Sequence, residues 1–181
     1  MNEKAHPKAL GAPQTPATII GSDLVRRAVE ASRQSPRRRI ILPLHKAPDA
    51  NLHRMLNAVQ PYSYVRPHRH LDPPKAESIL VLQGAILTFI FDATGKVEEA
   101  MIFAAGTAAF GIDFEPGVLH TFLALQPDTV LFEVKPGPYE AQTDKDFAPW
   151  APVEGSPEAA AYMADLYGFA RKLGWPVPGL E

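Results

Sequence analysis

The chain contains no cysteine among its 181 residues. A disulfide framework and a thiolate metal ligand are therefore excluded, so any bound metal must use histidine and carboxylate ligands. The sequence also lacks a stretch of about 18 apolar residues, which a membrane-spanning helix requires. Residues 1–20 lack the apolar run of a signal peptide. We therefore expect a cytoplasmic protein without a membrane partner.

An excess of one charge is also missing. Lysine and arginine total 18 and aspartate and glutamate total 20, which gives a net charge of −2 and argues against nucleic acid as a partner. The length suits one sizeable hydrophobic core. Residues 1–17 are rich in proline, alanine and charge without periodicity, so we predict a flexible tail followed by a single domain at 18–181.

Two short segments contain side chains that bind metals. Alternate residues of a β-strand point to the same side, so His68 and His70 present two imidazoles to one face. Such a pair alone is weak evidence, because two histidines can also share a surface strand. The second segment strengthens it, since the turn Pro116–Gly117 leads into a strand that begins near His120. With Glu77, these side chains fill four positions around one divalent ion and leave room for substrate.

The pattern resembles the two sequence motifs of the cupin superfamily. The matching residues are His68, His70, Glu77 and Gly84 in the first motif and Gly111, Gly117 and His120 in the second. The chain departs from the motifs in three places. No glycine stands before Tyr62. Six residues rather than three or four separate His70 from Glu77, and Ala124 stands where the second motif ends in asparagine.

Longer segments around these motifs resemble the WbuC family of cupin fold metalloproteins. The similarity covers roughly residues 20–167 and includes the runs PYSYVRPHRHLDPPKAES and PGVLHTFLAL. It implies a cupin barrel with a bound metal, a small-molecule ligand and a setting in surface polysaccharide biosynthesis. It also leaves a homodimer open, because barrels of this superfamily commonly dimerise.

The hydrophobic pattern predicts a mainly β fold, a cupin-type double-stranded β-helix or jelly-roll barrel with one helix at each end of the chain. We place a helix at 22–33 with Ser22 as its cap, a barrel at about 38–136, and a loop and helix at 137–174. Strands at 78–82 and 85–91, separated by Gln83 and Gly84, are predicted to form a hairpin. Several strands are apolar at both parities, which is typical of strands covered on both sides.

Two further side chains are candidate catalytic residues. If one strand runs unbroken from Tyr62 to His70, then Tyr64 and Arg66 share a face with the two histidines. Arg66 would position an anionic or polyhydroxyl substrate, and Tyr64 would donate a proton. The alternative for Arg66 is a structural role, with its guanidinium satisfied by a buried glutamate or by backbone carbonyls.

Other polar residues allow two interpretations each. His45 and His53 act as acid or base beside the metal, or they are structural. The segment 145–150 covers the barrel mouth, or it attaches the C-terminal helix to the barrel. The arginine cluster 37–39 is an anion-binding patch or a solvated strand edge.

The sequence supports two hypotheses about function. The first is a mononuclear metalloenzyme that acts on a small oxygen-rich molecule such as a sugar derivative, by isomerisation, epimerisation or oxygenation. The second is a non-catalytic cupin that binds or senses a small molecule. Three imidazoles and a carboxylate suit zinc, iron, nickel, manganese or copper, so the ligand set does not distinguish among these metals.

Overall fold

The computed structural model describes residues 6–177, which contain two helices and ten strands. The helices are α1 (Ser22–Gln34) and α2 (Pro157–Lys172), and the strands are β1 (Arg39–Pro43), β2 (Leu52–Val59), β3 (His68–Arg69), β4 (Glu77–Gln83), β5 (Ala85–Phe91), β6 (Val97–Ala104), β7 (Gly111–Phe114), β8 (Leu119–Ala124), β9 (Thr129–Pro136) and β10 (Asp146–Phe147). Neither helix in this part of the chain is long and apolar enough to cross a membrane.

The strands form two five-stranded antiparallel sheets. Sheet 1 has the order β1-β2-β9-β4-β7, and sheet 2 has the order β10-β3-β8-β5-β6. Without the edge strands β1 and β10, the two sheets have the orders β2-β9-β4-β7 and β3-β8-β5-β6. This is the strand order of an eight-stranded double Greek key, which is a jelly roll. The predicted fold class is confirmed: the protein is mainly β, with one helix before the sheets and one after them.

Three apolar clusters hold the layers together. Helix α1 packs on the outer face of sheet 1 through Ala28 and Val29, against Leu56 and Val130. Helix α2 packs on the outer face of sheet 2, where Tyr167 is fully buried. The third cluster lies between the sheets and is composed of Val59, Val65, Ile79, Val81, Ile86, Phe103, Phe114, Phe122, Ala124 and Leu131.

Strand β5 shows why the sequence is apolar at both parities. Ile86 faces the cluster between the sheets, whereas Leu87 and Phe89 belong to the cluster that α2 covers. Six of the seven residues of β5 are buried. A strand with both faces covered needs apolar residues throughout, as predicted.

The predicted hairpin at Gly84 is wrong. Strand β4 pairs with β7 and β9 in sheet 1, whereas β5 pairs with β6 and β8 in sheet 2. Gly84 is therefore the crossing between the sheets. Its φ of +79° lies in the left-handed region, and a Cβ there would clash with the hydroxyl of Thr129 and lie 3.0 Å from its Cα.

Three smaller differences concern element boundaries. Ser22 is the first residue of α1, and Gly21 occupies the N-cap position without a side-chain hydrogen bond. The two-residue strands and the four-residue β7 offer too little periodicity for recognition from sequence. The expectation of one strand from Tyr62 to His70 is also wrong, because only His68 and Arg69 form β3.

We predict that Gly84→Ala destabilises the fold by about 3 kcal/mol or more, since it adds both backbone strain and a clash. The matched control is Gly106→Ala, because Gly106 also has a positive φ, +73°, but open space around its Cα. The control should lose only about 1 kcal/mol from strain. Urea denaturation measures both values, and equal losses would show that the contact with Thr129 is unimportant.

Candidate metal centre

Both sheets contribute to one buried group of polar side chains. His68 on β3 and His120 on β8 are directly opposite each other in sheet 2, and His70 follows β3 by one residue. Glu77 begins β4 in sheet 1 and faces inward with the parity of Ile79. One ligand atom from each of the four side chains lies within 4.8 Å of the others, and all four residues are buried.

Backbone carbonyls fix the orientation of all three imidazoles. Nδ1 of His68 lies 2.9 Å from the carbonyl oxygen of Arg66, and Nδ1 of His120 lies 2.9 Å from that of Val118. Nδ1 of His70 contacts the carbonyl oxygen of Asp144. A carbonyl oxygen can only accept, so each Nδ1 donates its proton. In the neutral rings, Nε2 therefore presents a lone pair.

The Nε2 atoms meet the Glu77 carboxylate. Oε2 of Glu77 lies 3.2 Å from Nε2 of His120 and 3.4 Å from Nε2 of His70. Burial, followed by the charge of Lys145, lowers the pKa of His68 well below its usual value and favours the neutral ring. Lone pairs that face one another at these distances repel unless a cation lies among them.

A divalent metal fits this group. Nε2 of His68 and Nε2 of His70 are buried without a hydrogen-bond partner, which is costly unless an ion takes the lone pairs. Bonds of about 2.1 Å put opposite ligand atoms about 4.2 Å apart, so shifts of a few tenths of an ångström would close the group on one ion. The buried cluster could therefore hold a metal.

A second layer of charge surrounds the group. Nζ of Lys135 lies 2.9 Å from the Asp144 carboxylate and 3.7 Å from that of Glu77. Burial by itself raises the pKa of Glu77, whereas the nearby positive charge of Lys135 lowers it. Lys75 also contacts Asp144, at 3.5 Å, and is only 4% exposed.

A cavity of about 800 Å³ leads to the metal-binding group. Its volume lies in the range of small-molecule sites. The inward residues of β2 and β9 form one wall, with Met55, Asn57, Glu133 and Lys135, and Phe122 narrows the cavity beside the ligands. Asn57 donates a 2.8 Å hydrogen bond to Glu133.

The structure does not bring Tyr64 to this cavity. Its hydroxyl donates a 2.9 Å hydrogen bond to the carbonyl oxygen of Pro152, and its ring contacts Tyr162 of α2 edge-on. Burial raises the pKa of Tyr64 to about 12. The shared face with the histidines depended on an unbroken strand, and Tyr64 lies outside β3.

Arg66 does line the cavity, but much of its guanidinium is already bonded. Nε donates to the carbonyl oxygen of Ala151 and Nη2 donates to that of Ala148, both at 3.1 Å. The guanidinium also lies 5.2 Å from the centre of the Phe147 ring. These bonds match the structural alternative, in which backbone carbonyls satisfy the arginine.

His45, His53 and part of the segment 145–150, for which the sequence allows two interpretations each, line the cavity. His45 and His53 stack 4.0 Å apart and line the cavity, and burial, followed by the charge of His45, lowers the pKa of His53. In the segment 145–150, Phe147 lines the cavity whereas Trp150 contacts Tyr162, so one segment reaches both the cavity and the C-terminal helix.

Two residues of the arginine cluster form ion pairs, whereas Arg38 is exposed. Arg37 and Arg39 both pair with Glu154, at 2.9 and 2.8 Å. Burial lowers the pKa of Arg39 to about 10 despite the charge of Glu154. Arg37, Arg39 and Glu154 all line the cavity, and their ion pairs join the start of β1 to the segment before α2.

Sequence reasoning missed the charged residues of β9. Glu133 and Lys135 share the parity of Leu131, which lies between the sheets, whereas Val130 packs under α1. Charged residues at one parity of an otherwise apolar strand were the available signal for an inward polar wall. Asp144 offered none, since it lies in an irregular loop.

A family model described as "Domain of unknown function (DUF6016)" matches residues 20–103. A search of curated proteins finds no match.

Similar solved structures include KdgF from Halomonas sp., at 18% identity over 57% of this chain and 80% of that one, with a TM-score of 0.43. L-ribose isomerase from Cellulomonas parahominis is 18% identical over 62% of this chain and 70% of that one, with a TM-score of 0.49. A single-substitution variant of oxalate decarboxylase from Bacillus subtilis is 19% identical, with a TM-score of 0.47, and the match covers 79% of this chain but only 36% of the decarboxylase. These likenesses concern the fold alone, which the strand order already establishes.

The ion pairs of Glu154 generate a prediction about pH. Burial alone raises its pKa, but the hydrogen bonds and charges of Arg37 and Arg39 outweigh burial and lower it. A carboxyl whose pKa is lower in the folded state adds stability above its unfolded pKa of about 4.3, and this stability is lost as pH falls through the folded pKa. Glu154→Gln should therefore cost about 1 kcal/mol at pH 7 and progressively less below pH 4.

Urea denaturation of both proteins between pH 7 and pH 3 measures this difference. The control is Glu98→Gln, because Glu98 is exposed on β6. A cost for Glu154→Gln that stays constant across the range would contradict the ion-pair explanation.

Proposed function

We propose that the protein is a mononuclear metalloenzyme that binds one divalent metal through His68, His70, His120 and Glu77. Its substrate is a small oxygen-rich molecule that enters the cavity beside the ligands. The observation that carries the proposal is the convergence of three Nε2 lone pairs on a buried carboxylate at the end of this cavity.

The donor set favours chemistry over a purely structural metal. Structural zinc sites are usually closed and rich in cysteine, and this chain has none. Four protein ligands leave coordination positions free on a metal that prefers five or six. When bound, a metal here polarises a substrate carbonyl or hydroxyl, or activates water.

Side chains of the cavity would transfer protons and orient the substrate. Burial, followed by the charge of Glu77, raises the pKa of Glu133, and its carboxyl faces the cavity. A carboxyl with a raised pKa is better suited to general acid catalysis than an unperturbed one. Arg66 lines the cavity wall, where the remaining N–H donors of its guanidinium contribute to substrate orientation. Tyr64 has no part, because its hydroxyl is bonded to Pro152.

The sequence resemblance to WbuC-type cupins supports a sugar derivative as the substrate and a setting in surface polysaccharide synthesis. The polar wall, with Asn57, Glu133 and Lys135, suits a ligand with several hydroxyl groups. The alternative, a non-catalytic sensor, differs in that a bound ligand would be released unchanged.

The proposal predicts one divalent ion per chain in protein purified without a metal-chelating tag. His70→Ala should lower the metal content to well under half an ion per chain, because it removes a ligand and leaves Asp144 without its imidazole donor. Elemental analysis measures the metal. Circular dichroism should remain unchanged, because the three apolar clusters contain none of the ligands.

The matched control is His6→Ala, since His6 is exposed near the start of the described chain. It should leave the metal content unchanged. Full metal occupancy in His70→Ala would contradict the site, whereas loss of folded protein would make the metal structural.

A further inference from the structure

One lysine of the cavity is held in place by its neighbours on both sides. Lys145 lines the cavity and follows Asp144, whose carboxylate pairs with Lys135 at 2.9 Å. The next residue, Asp146, pairs with Arg69 at 2.7 Å and belongs to β10. Two anchored neighbours fix the backbone from which the side chain of Lys145 extends.

Strand β10 brings this lysine close to the metal ligands. Phe147, two residues beyond Lys145, is directly opposite His68 in the β3–β10 pair. His68, Glu77 and Lys145 all line the same cavity. The ammonium group and the ligand cluster therefore belong to the same cavity.

The charge of Lys145 lacks a counter-ion. Within residues 6–177, its ammonium group makes neither an ion pair nor a hydrogen bond, in contrast to Lys135 and Lys75, which share Asp144. Burial, followed by the charge of Lys135, lowers the pKa of Lys145. A half-buried cation without a partner is unfavourable unless a ligand supplies negative charge.

Each carboxylate that lines the cavity already has a partner other than Lys145 or a proposed role as a metal ligand. Glu154 pairs with Arg37 and Arg39, and Asp144 pairs with Lys135. Glu77 is a proposed metal ligand. Glu133 accepts a hydrogen bond from Asn57. The cavity therefore has more positive than negative charge even before a divalent metal is added.

We infer that Lys145 binds an anionic group of the ligand, a carboxylate or a phosphate, while an oxygen elsewhere on the same ligand reaches the metal. This inference rests on the proposed function and narrows its substrate class from oxygen-rich molecules to small acids. Arg66 lies on the same wall and adds a second positive charge, although two of its donors are bonded to carbonyls. An ammonium group accepts either anion, since it acts as a point charge.

The test compares three probes that differ mainly in charge: D-gluconate, D-glucose 6-phosphate and the neutral polyol sorbitol. Each is titrated calorimetrically into protein loaded with the metal that elemental analysis identifies. At least one acid should bind ten times or more tightly than sorbitol. Tighter gluconate binding would identify a carboxylate as the preferred group, and tighter glucose 6-phosphate binding would identify a phosphate.

Lys145→Met should weaken binding of the preferred acid about tenfold, and Lys145→Arg should retain part of it, with metal content unchanged in both. The matched control is Lys46→Met, which removes the same charge from the same cavity. Nζ of Lys46 is already bonded, at 2.8 Å, to the carbonyl oxygen of Thr15, so this variant should keep wild-type affinity.

Two results would overturn the inference: acids that bind no better than sorbitol, or an unchanged affinity in Lys145→Met. Either result in fully metal-loaded protein leaves the metal centre intact and rejects only the anion site. Failure of the proposed function is distinguishable, because wild-type protein would then take up no metal.

Discussion

The polar end of the barrel depends on one buried carboxylate, Asp144. Its oxygens compensate the charges of Lys135 and Lys75, and its backbone carbonyl accepts the Nδ1 proton of His70. A buried ammonium group without such a partner would cost several kcal/mol. Asp144 therefore makes it possible for two lysines to lie inside the barrel, and it also sets the tautomer of a candidate metal ligand.

This dual role joins a loop to the site. Asp144 precedes β10, and β10 pairs with β3, which carries His68. The loop is thus connected to the ligands by main-chain pairing, by an ion pair and by a hydrogen bond. Movement of this loop would displace both the orientation of His70 and the position of Lys145, so metal affinity and ligand affinity should be coupled through it.

Strand parity predicted the site where the strands are regular. His120, Phe122 and Ala124 alternate along β8 and share a face, with His120 in the ligand group and Ala124 in the cluster between the sheets. Strand parity did not predict the directions of the Tyr64 and Arg66 side chains, because these residues, which precede His68, lie outside any strand. The jelly-roll class was predictable from the apolar pattern and the motif resemblance together.

Pairing partners were not predictable from local sequence. Gly84 with its neighbour Gln83 matches the local signature of a tight turn, yet β4 and β5 belong to different sheets. What decides the pairing is the choice of β9 as the partner of β4, and β9 lies some fifty residues later in the chain. Asp144 was missed for the same reason, since its partners Lys135 and Lys75 are brought to it only by the folded sheets.

The inner surface of the barrel divides into two regions with different tasks. Ile79 and Leu131 belong to the apolar cluster between the sheets, whereas Glu77 and Glu133, two residues from each along the same strands, face the ligand group or the cavity. The polar region adds buried charges that oppose folding. The outer faces offset this cost, because each sheet has its own apolar contact with a helix. Coverage by α1 and α2 therefore leaves one end of the barrel available for metal and ligand, and substitutions at that end should affect binding before they affect the fold.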